Sequence, residues 1–391
     1  MNVTYEMYQS TIYRKTARII SAACGFLFIV FAVLYLYSFQ PYLLATAQHV
    51  LSHGVTSYSP IWGTTIITFV LILIQMGYKR LVRFPLRFVA LSYFPSCLIL
   101  GLLTALVPDN EGGIRMDVNG WVIALFVVVY LSLFWMIKHF PDTRENHSII
   151  NPFLWPNFFV LFLLFLMTGS LGNANDMYHY RLDMEHHLVK GQYKEVLQIG
   201  TQSLDTDRAM SAMRAYALSR TGELGNKLFE YPQPYGSQGL LPSLSDTIYT
   251  HNWTDSLYVY LGGKPGKVKN NIQFFELLAK RPKATNAVKD YLLCAYLLDK
   301  QLDKFASLLP QYYTPNDKLP VAYKEALVLY NRMRTNPLLL YRDSVIEENL
   351  NDFLNMEEQY PDPVERSNNC RRMYGHTYWW YYRYQRVIRP N

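Results

Sequence analysis

Five long stretches in the first 174 residues carry no Asp, Glu or Lys, and nothing else in the sequence constrains the fold as strongly. They run over 17–37, 61–78, 86–107, 121–137 and 153–171. Each has about the 17–25 residues a helix needs to cross a bilayer. Lipid offers no partner to free backbone N–H and C=O groups, so each stretch must be helical. Arg18 and Arg87 stand at the edges of their stretches. Ionisable groups at membrane depth mark proton relays and ion paths, and their absence argues against a proton-coupled transporter. It also argues against an intramembrane protease, because Ser92 and Ser96 have no histidine at that depth to activate them.

Charge marks where this region ends. Ten Lys/Arg and six Asp/Glu precede Asn175, against 27 and 24 from there onward. The second density is ordinary for a water-facing domain, where about a quarter of residues are charged. The chain therefore divides into a membrane part, 1–174, and an outer part, 175–391. The near-zero mean hydropathy of −0.01 averages two unlike halves. An aromatic content of 15% excludes a disordered chain. The net charge of +7 is spread over both parts, without the basic clustering that nucleic-acid binding requires.

Lys and Arg in the short loops set the orientation. The N-terminus holds Arg14, Lys15 and Arg18, and loop 38–60 holds none. The next loop holds Lys79, Arg80, Arg83 and Arg87; loop 108–120 has only Arg115; the last has Lys138 and Arg144. This alternation places the N-terminus in the cytoplasm and everything after 171 on the other side. A cleaved signal peptide fits less well: the first apolar core is too long, and the Ala45-x-Ala47 triplet lies well beyond it. Within loop 38–60, Leu43, Leu44, Ala47, Val50 and Leu51 share a helical face. That pattern reads as a helix lying on the outer leaflet or as an ordinary loop with apolar residues.

The outer part has helical periodicity broken by tight turns. HHLVKGQYKEVLQIG (186–200), YALSRTGELGNKLFEY (216–231) and YLLDKQLDKFASLLPQYY (296–313) each join two apolar helices through a short turn. Gly191 and Gly222 suit the left-handed position that ends a helix. The pattern predicts an all-α architecture: five transmembrane helices followed by an α-solenoid of tetratricopeptide-like pairs. A Pro/Gly-rich insertion over 231–266 interrupts the pairs as an ordered loop or cap, and an aromatic helix over 374–387 caps the end.

Candidate functional residues follow from this layout. Repeat logic assigns Tyr180, Arg214, Tyr291 and Tyr323 to a concave binding surface. The tail YGHTYWWYYRYQRVIRP offers Tyr378 and Trp379 for stacking and Arg383 and Arg386 as a basic stripe. The plainer reading, a cap packing its aromatics on the last repeat, is favoured. Glu185, His186 and His187 offer a metal site with His179, which shares a helical face with His186 or with His187, but no Cys or further His at metal-site spacing completes a set. They read as structural, and no cofactor is expected. Cys294 and Cys370 lie where a disulfide is permitted, yet the apolar run DYLLCAYLL marks Cys294 as a small core residue. An envelope enzyme acting on lipid-linked sugar would have to draw on Asp109, Glu111 and Asp117 in the second outer loop.

Several stretches together carry a family resemblance: IWGTTIITFVLILIQ (61–75), ALSYFPSCLIL (90–100), DSLYVYLGGKP (255–265), DYLLCAYLLDKQLDKF (290–305), LPVAYKEALVLY (319–330) and YGHTYWWYYRY (374–384). In these the chain resembles a domain-of-unknown-function family of bacterial polytopic inner-membrane proteins. The resemblance implies a periplasmic outer part and implies no catalytic residue. The combined expectation is a protein embedded in the lipid bilayer that presents a helical domain to a protein partner. The rivals are the envelope enzyme and an accessory subunit of an export or uptake assembly.

Overall fold

The computed structural model describes residues 2–108, 114–139, 151–243, 253–266, 268, 270–282, 284–316 and 318–388. The chain forms two compact units, Met1–Asp176 and Met177–Asn391. Helices dominate the described residues, joined by turns and short loops, and the strands among them form a two-stranded antiparallel hairpin, β1 (Leu106–Pro108) with β2 (Ile114–Met116).

The first unit contains α1 (Asn2–Leu34), α2 (Pro41–Leu51), α3 (Pro60–Leu81), α4 (Phe94–Leu103), α5 (Gly120–His139) and α6 (Asn151–Leu171). Among the described residues, five segments are long and apolar enough to cross a membrane: Lys15–Phe39, Pro60–Leu81, Leu86–Leu103, Gly120–His139 and Phe153–Leu171. They coincide with the five charge-poor stretches. α1 ends in a π-helical turn, Tyr35–Phe39, and Pro41 then starts α2 because a proline cannot continue the preceding helix.

The third segment is not a uniform α-helix. Its first part, Leu86–Tyr93, is a 3-10 helix bent at Phe88, and α4 follows. The rise of about 2.0 Å per 3-10 residue against about 1.5 Å in an α-helix brings the whole segment to roughly 31 Å, enough for a hydrocarbon core of about 30 Å. It is also the most interior of the five, whereas α5 is almost wholly exposed on its own unit. At Gly101, α4 packs so closely on α6 that a Cβ would stand 2.9 Å from the Cβ of Leu171. A small residue at that crossing is what close helix packing in lipid demands.

α2 exists as the sequence pattern predicts, but protein covers its apolar face. Leu43, Leu44 and Ala47 are buried, and α2 packs on the β1–β2 hairpin, while Leu51 stays exposed. A loop helix with an apolar stripe buries it against the nearest apolar surface, and here the hairpin supplies that surface.

The second unit runs through α7 (Asp176–Val189), α8 (Tyr193–Val196), α9 (Arg208–Thr221), α10 (Leu224–Lys227), α11 (Trp253–Leu261), α12 (Asn271–Ala279), α13 (Asn286–Leu298), α14 (Leu302–Leu308), α15 (Val321–Met333), α16 (Ser344–Gln359), α17 (Pro363–Tyr374) and α18 (Tyr378–Tyr384). The three sequence-related turns share one geometry. Gln192 N–H donates to His187 O, Glu223 N–H to Leu218 O, and Gln301 N–H to Tyr296 O, at 2.8–2.9 Å. Side-chain caps start the longer helices: Asp207 accepts from Met210 N–H, Thr285 from Val288 N–H, and Asp362 from both Val364 and Glu365 N–H.

Packing is not confined to sequence neighbours, since α10 lies against both α13 and α15. Two expectations need correction. The 231–266 stretch is more than a loop: it contributes a 3-10 turn, Gly236–Leu240, and α11, and Leu240, Leu241, Trp253, Leu257 and Leu261 enter the core. The aromatic helix is shorter than 374–387 and lies inside the unit. Tyr378, Trp379, Trp380 and Tyr381 are buried, and Phe229 packs on Tyr378 and Tyr381 with ring centroids 5.1 and 5.0 Å apart. Four consecutive large rings cannot all be buried by one neighbouring helix, so elements from several parts of the unit close around them.

Candidate functional site

In the second unit four segments meet around an open cleft of about 1240 Å³: the 235–238 turn, the α13–α14 turn at 298–301, the first turns of α17, and the extended tail after α18. Lys300, Arg366, Arg383 and Arg386 line it, together with Asp299 and Tyr384. The floor is built by tethering. Asp299 accepts from Ser237 N–H at 2.9 Å and from its hydroxyl at 2.8 Å. Gly236, at φ 55, brings the backbone close to both Val387 and the Asp299 carboxylate. The tail is held by Ile388 N–H donating to Pro234 O at 2.7 Å.

The charged groups differ in how they are compensated. Arg383 donates to both carboxylate oxygens of Glu357, at 3.3 and 3.1 Å, and Tyr384 donates to the same group at 2.6 Å. Glu357 thereby holds the Arg383 guanidinium above its ordinary pKa. Burial, followed by the hydrogen bond to Glu357, pushes the Tyr384 phenol up. Lys300 donates to Gln385 O at 2.9 Å, and burial lowers its pKa. Arg366 donates to Tyr360 O at 2.7 Å and Pro361 O at 2.8 Å.

α18, which carries the cleft's fourth wall, is anchored to α15 by a buried acid. Glu325 accepts Tyr378 N–H at 2.7 Å, and its backbone carbonyl accepts the Trp379 indole N–H at 2.9 Å. Burial pushes the Glu325 carboxyl up to about 8. Tyr378 and Tyr381 donate to Leu297 O and Leu298 O, which end α13 just before the cleft.

The residues expected to bind a partner take three different places. Arg383 and Arg386 line the cleft. Tyr378 and Trp379 are core residues, as are Tyr291 and Tyr323, which are fully buried rather than lining a concave surface. Tyr323 donates to Asp290 at 3.2 Å beside Tyr313, which donates to the same carboxylate at 2.5 Å. Arg214 is also buried; it donates to Ile199 O and Gly200 O, and its guanidinium stacks over Tyr231 at 5.2 Å. Tyr180 is half-buried against Gly200. Helical periodicity placed these side chains inward, where a ring or guanidinium fills space between helices.

His187 meets Gln192 at 2.7 Å and Asp183 at 3.2 Å, His186 packs edge-on to His187, and His179 edge-on to Tyr178. Among the described residues no three His, Cys, Asp or Glu side chains form a group able to hold a metal ion. Cys294 and Cys370 are both buried and free. Asp117 is exposed, and its N–H donates to Ala105 O; Asp109 and Glu111 lie outside the described residues. Lys300 and Arg366 belong to no motif in the sequence. One signal was present: the third related turn reads DKQL where the other two carry glycine.

The architecture is that of a helical protein with five segments of membrane-spanning length ahead of a separate helical unit. A family of unknown function, DUF6057, matches residues 113–264 and 266–385, and the chain belongs to that family. No curated protein and no solved structure matches the chain.

Proposed function

We propose that the protein is a multi-pass inner-membrane scaffold of the bacterial envelope. Its N-terminus lies in the cytoplasm, and its second unit stands in the periplasm as a tetratricopeptide-like domain for protein–protein interaction in envelope assembly or transport. The observation that carries this reading is the alternation of Lys/Arg between successive loops around five span-length helices. An odd number of spans with a basic N-terminus puts the second unit outside. Paired helices joined by one repeated turn geometry favour an interaction domain over an enzyme.

Fusions after Asn391 test the placement. A phosphatase reporter there is expected to be active and a green fluorescent reporter dark; the reverse result discards the topology. Replacing Asp109, Glu111 and Asp117 together by Asn tests the scaffold role. Full complementation of a deletion strain is expected, and a null phenotype with normal protein levels would replace the scaffold by the enzyme reading.

A further inference from the structure

The three related turns differ at the one backbone position where chemistry matters. Gly191 and Gly222 end their helices at φ 70 and 75, and Lys300 occupies the same place at φ 58. L-residues disfavour this left-handed conformation, and glycine adopts it freely. Since the other two turns use glycine, the turn itself does not call for a lysine. Strain of this kind in a cleft is a reason to ask what the side chain does there.

Its position is specific. The Lys300 ammonium reaches the cleft beside the tail, bonded to Gln385 O and within 5.7 Å of the Tyr381 and Tyr382 ring centres. Among the described residues it forms no ion pair. Arg366 donates only to carbonyl oxygens, and Arg386 is exposed with no side-chain partner among the described residues. The two nearby acids are already engaged, Asp299 by Ser237 and Glu357 by Arg383 and Tyr384. Lys300, Arg366 and Arg386 thus line one concavity without an ion pair among the described residues, and the Asp299 carboxylate in the same lining is turned to Ser237.

Arg and Lys arranged in this way favour oxyanions, which supply the missing charge and accept several hydrogen bonds at once. The cleft, at about 1240 Å³, exceeds the usual volume for a compact small molecule. Tyr235, Tyr384 and Val387 add apolar wall between the charges. We infer that this cleft binds an extended ligand carrying two or more oxyanion groups, carboxylates or phosphates, with Lys300, Arg366 and Arg386 as its recognising residues. The inference does not depend on which side of the membrane the unit faces.

Calorimetric titration of the full chain in neutral-lipid nanodiscs, at low salt, tests it with two probes, tripolyphosphate and tetraglutamate. Saturable binding of at least one is expected, weakening as salt is added. Binding of tripolyphosphate alone identifies a phosphate ligand, and binding of tetraglutamate alone a carboxylate ligand. Lys300→Asn keeps a residue that tolerates the left-handed turn and is expected to weaken binding about tenfold. Lys300→Arg restores it. Arg386→Gln, at an exposed side chain that holds nothing in place, is expected to show a similar loss without a change in melting temperature. Arg372→Gln, on α17 but outside the cleft, leaves affinity unchanged. The inference is overturned if neither probe binds saturably, if Arg372→Gln weakens binding as much as Lys300→Asn, or if Lys300→Arg fails to rescue.

Discussion

In each unit a buried polar side chain ties the start of a helical segment to a neighbouring helix. In the first unit that side chain is Asn157, whose amide oxygen accepts Ala90 N–H at 2.8 Å and whose NH₂ donates to Leu86 O and Phe153 O. Gln75 donates to Ser92, and Ser96 and Thr168 donate to Leu71 O and Cys97 O, around the same segment. In the second unit the side chain is Glu325, which holds the start of α18. Both groups are buried. The amide is neutral at every pH and offers donor and acceptor together, which suits surroundings without water. The carboxyl is neutral only while burial keeps it protonated. The first tether is therefore fixed, and the second is open to pH.

The largest effect that bears on this contrast is expected from Trp379→Ala, which removes a fully buried ring from the second unit. A loss of about 3–5 kcal/mol is expected in thermal or denaturant unfolding of that unit. A loss under about 1 kcal/mol would mean that α18 is not a core element. Asn157→Leu comes next. It strands Ala90 N–H and Leu86 O in apolar surroundings, and about 2–4 kcal/mol is expected, read as lowered thermal stability of the detergent-solubilised protein. Stability equal to wild type would show that water or another group satisfies the 3-10 segment.

Glu325→Gln sharpens the comparison through pH. Burial raises the folded-state pKa of Glu325 to about 8, above the ordinary carboxyl value of about 4.3. The folded state therefore holds the proton more tightly, and stability falls as pH rises from about 4.3 to about 8, then levels off. The amide still accepts Tyr378 N–H but does not titrate. The variant is expected to lose this slope and to exceed wild type in melting temperature at pH 8, with no such advantage at pH 5. Parallel melting curves for the two proteins across that range would remove Glu325 as the pH-sensitive tether. The smallest effect is expected from Gly222→Ala, about 1 kcal/mol of destabilisation. At φ 75 with nothing near the new Cβ, the whole effect is backbone conformation; a neutral result would remove the argument that Lys300 sits in a strained position.

The five long apolar helices were legible because length and the absence of charge are properties of a contiguous stretch, so 61–78 or 121–137 can be read without knowing a neighbour. The helix-ending turns were legible for a similar reason: left-handed backbone selects glycine locally. Asn157 was not legible, because its partners Ala90 and Leu86 lie 67 and 71 residues away. Repeat logic puts Tyr291 and Tyr323 on a concave surface and the structure buries them, since periodicity says that two residues share a face and not which element covers it. α2 shows the same limit: its stripe was visible, and the hairpin over it was not.

What the sequence determined by itself is therefore whatever depends on local chemistry and contiguous length: five apolar helices of membrane-spanning length, a rise in charge density near residue 175, and the turns between helices. The tertiary structure alone decided which charges would face one another. Arg383 and Arg386 stood out as a basic stripe, but Lys300, Arg366 and Asp299 join them only because α13, α17 and the tail meet. Burial and electrostatic compensation depend on distance in space, and separation along the chain does not record that distance.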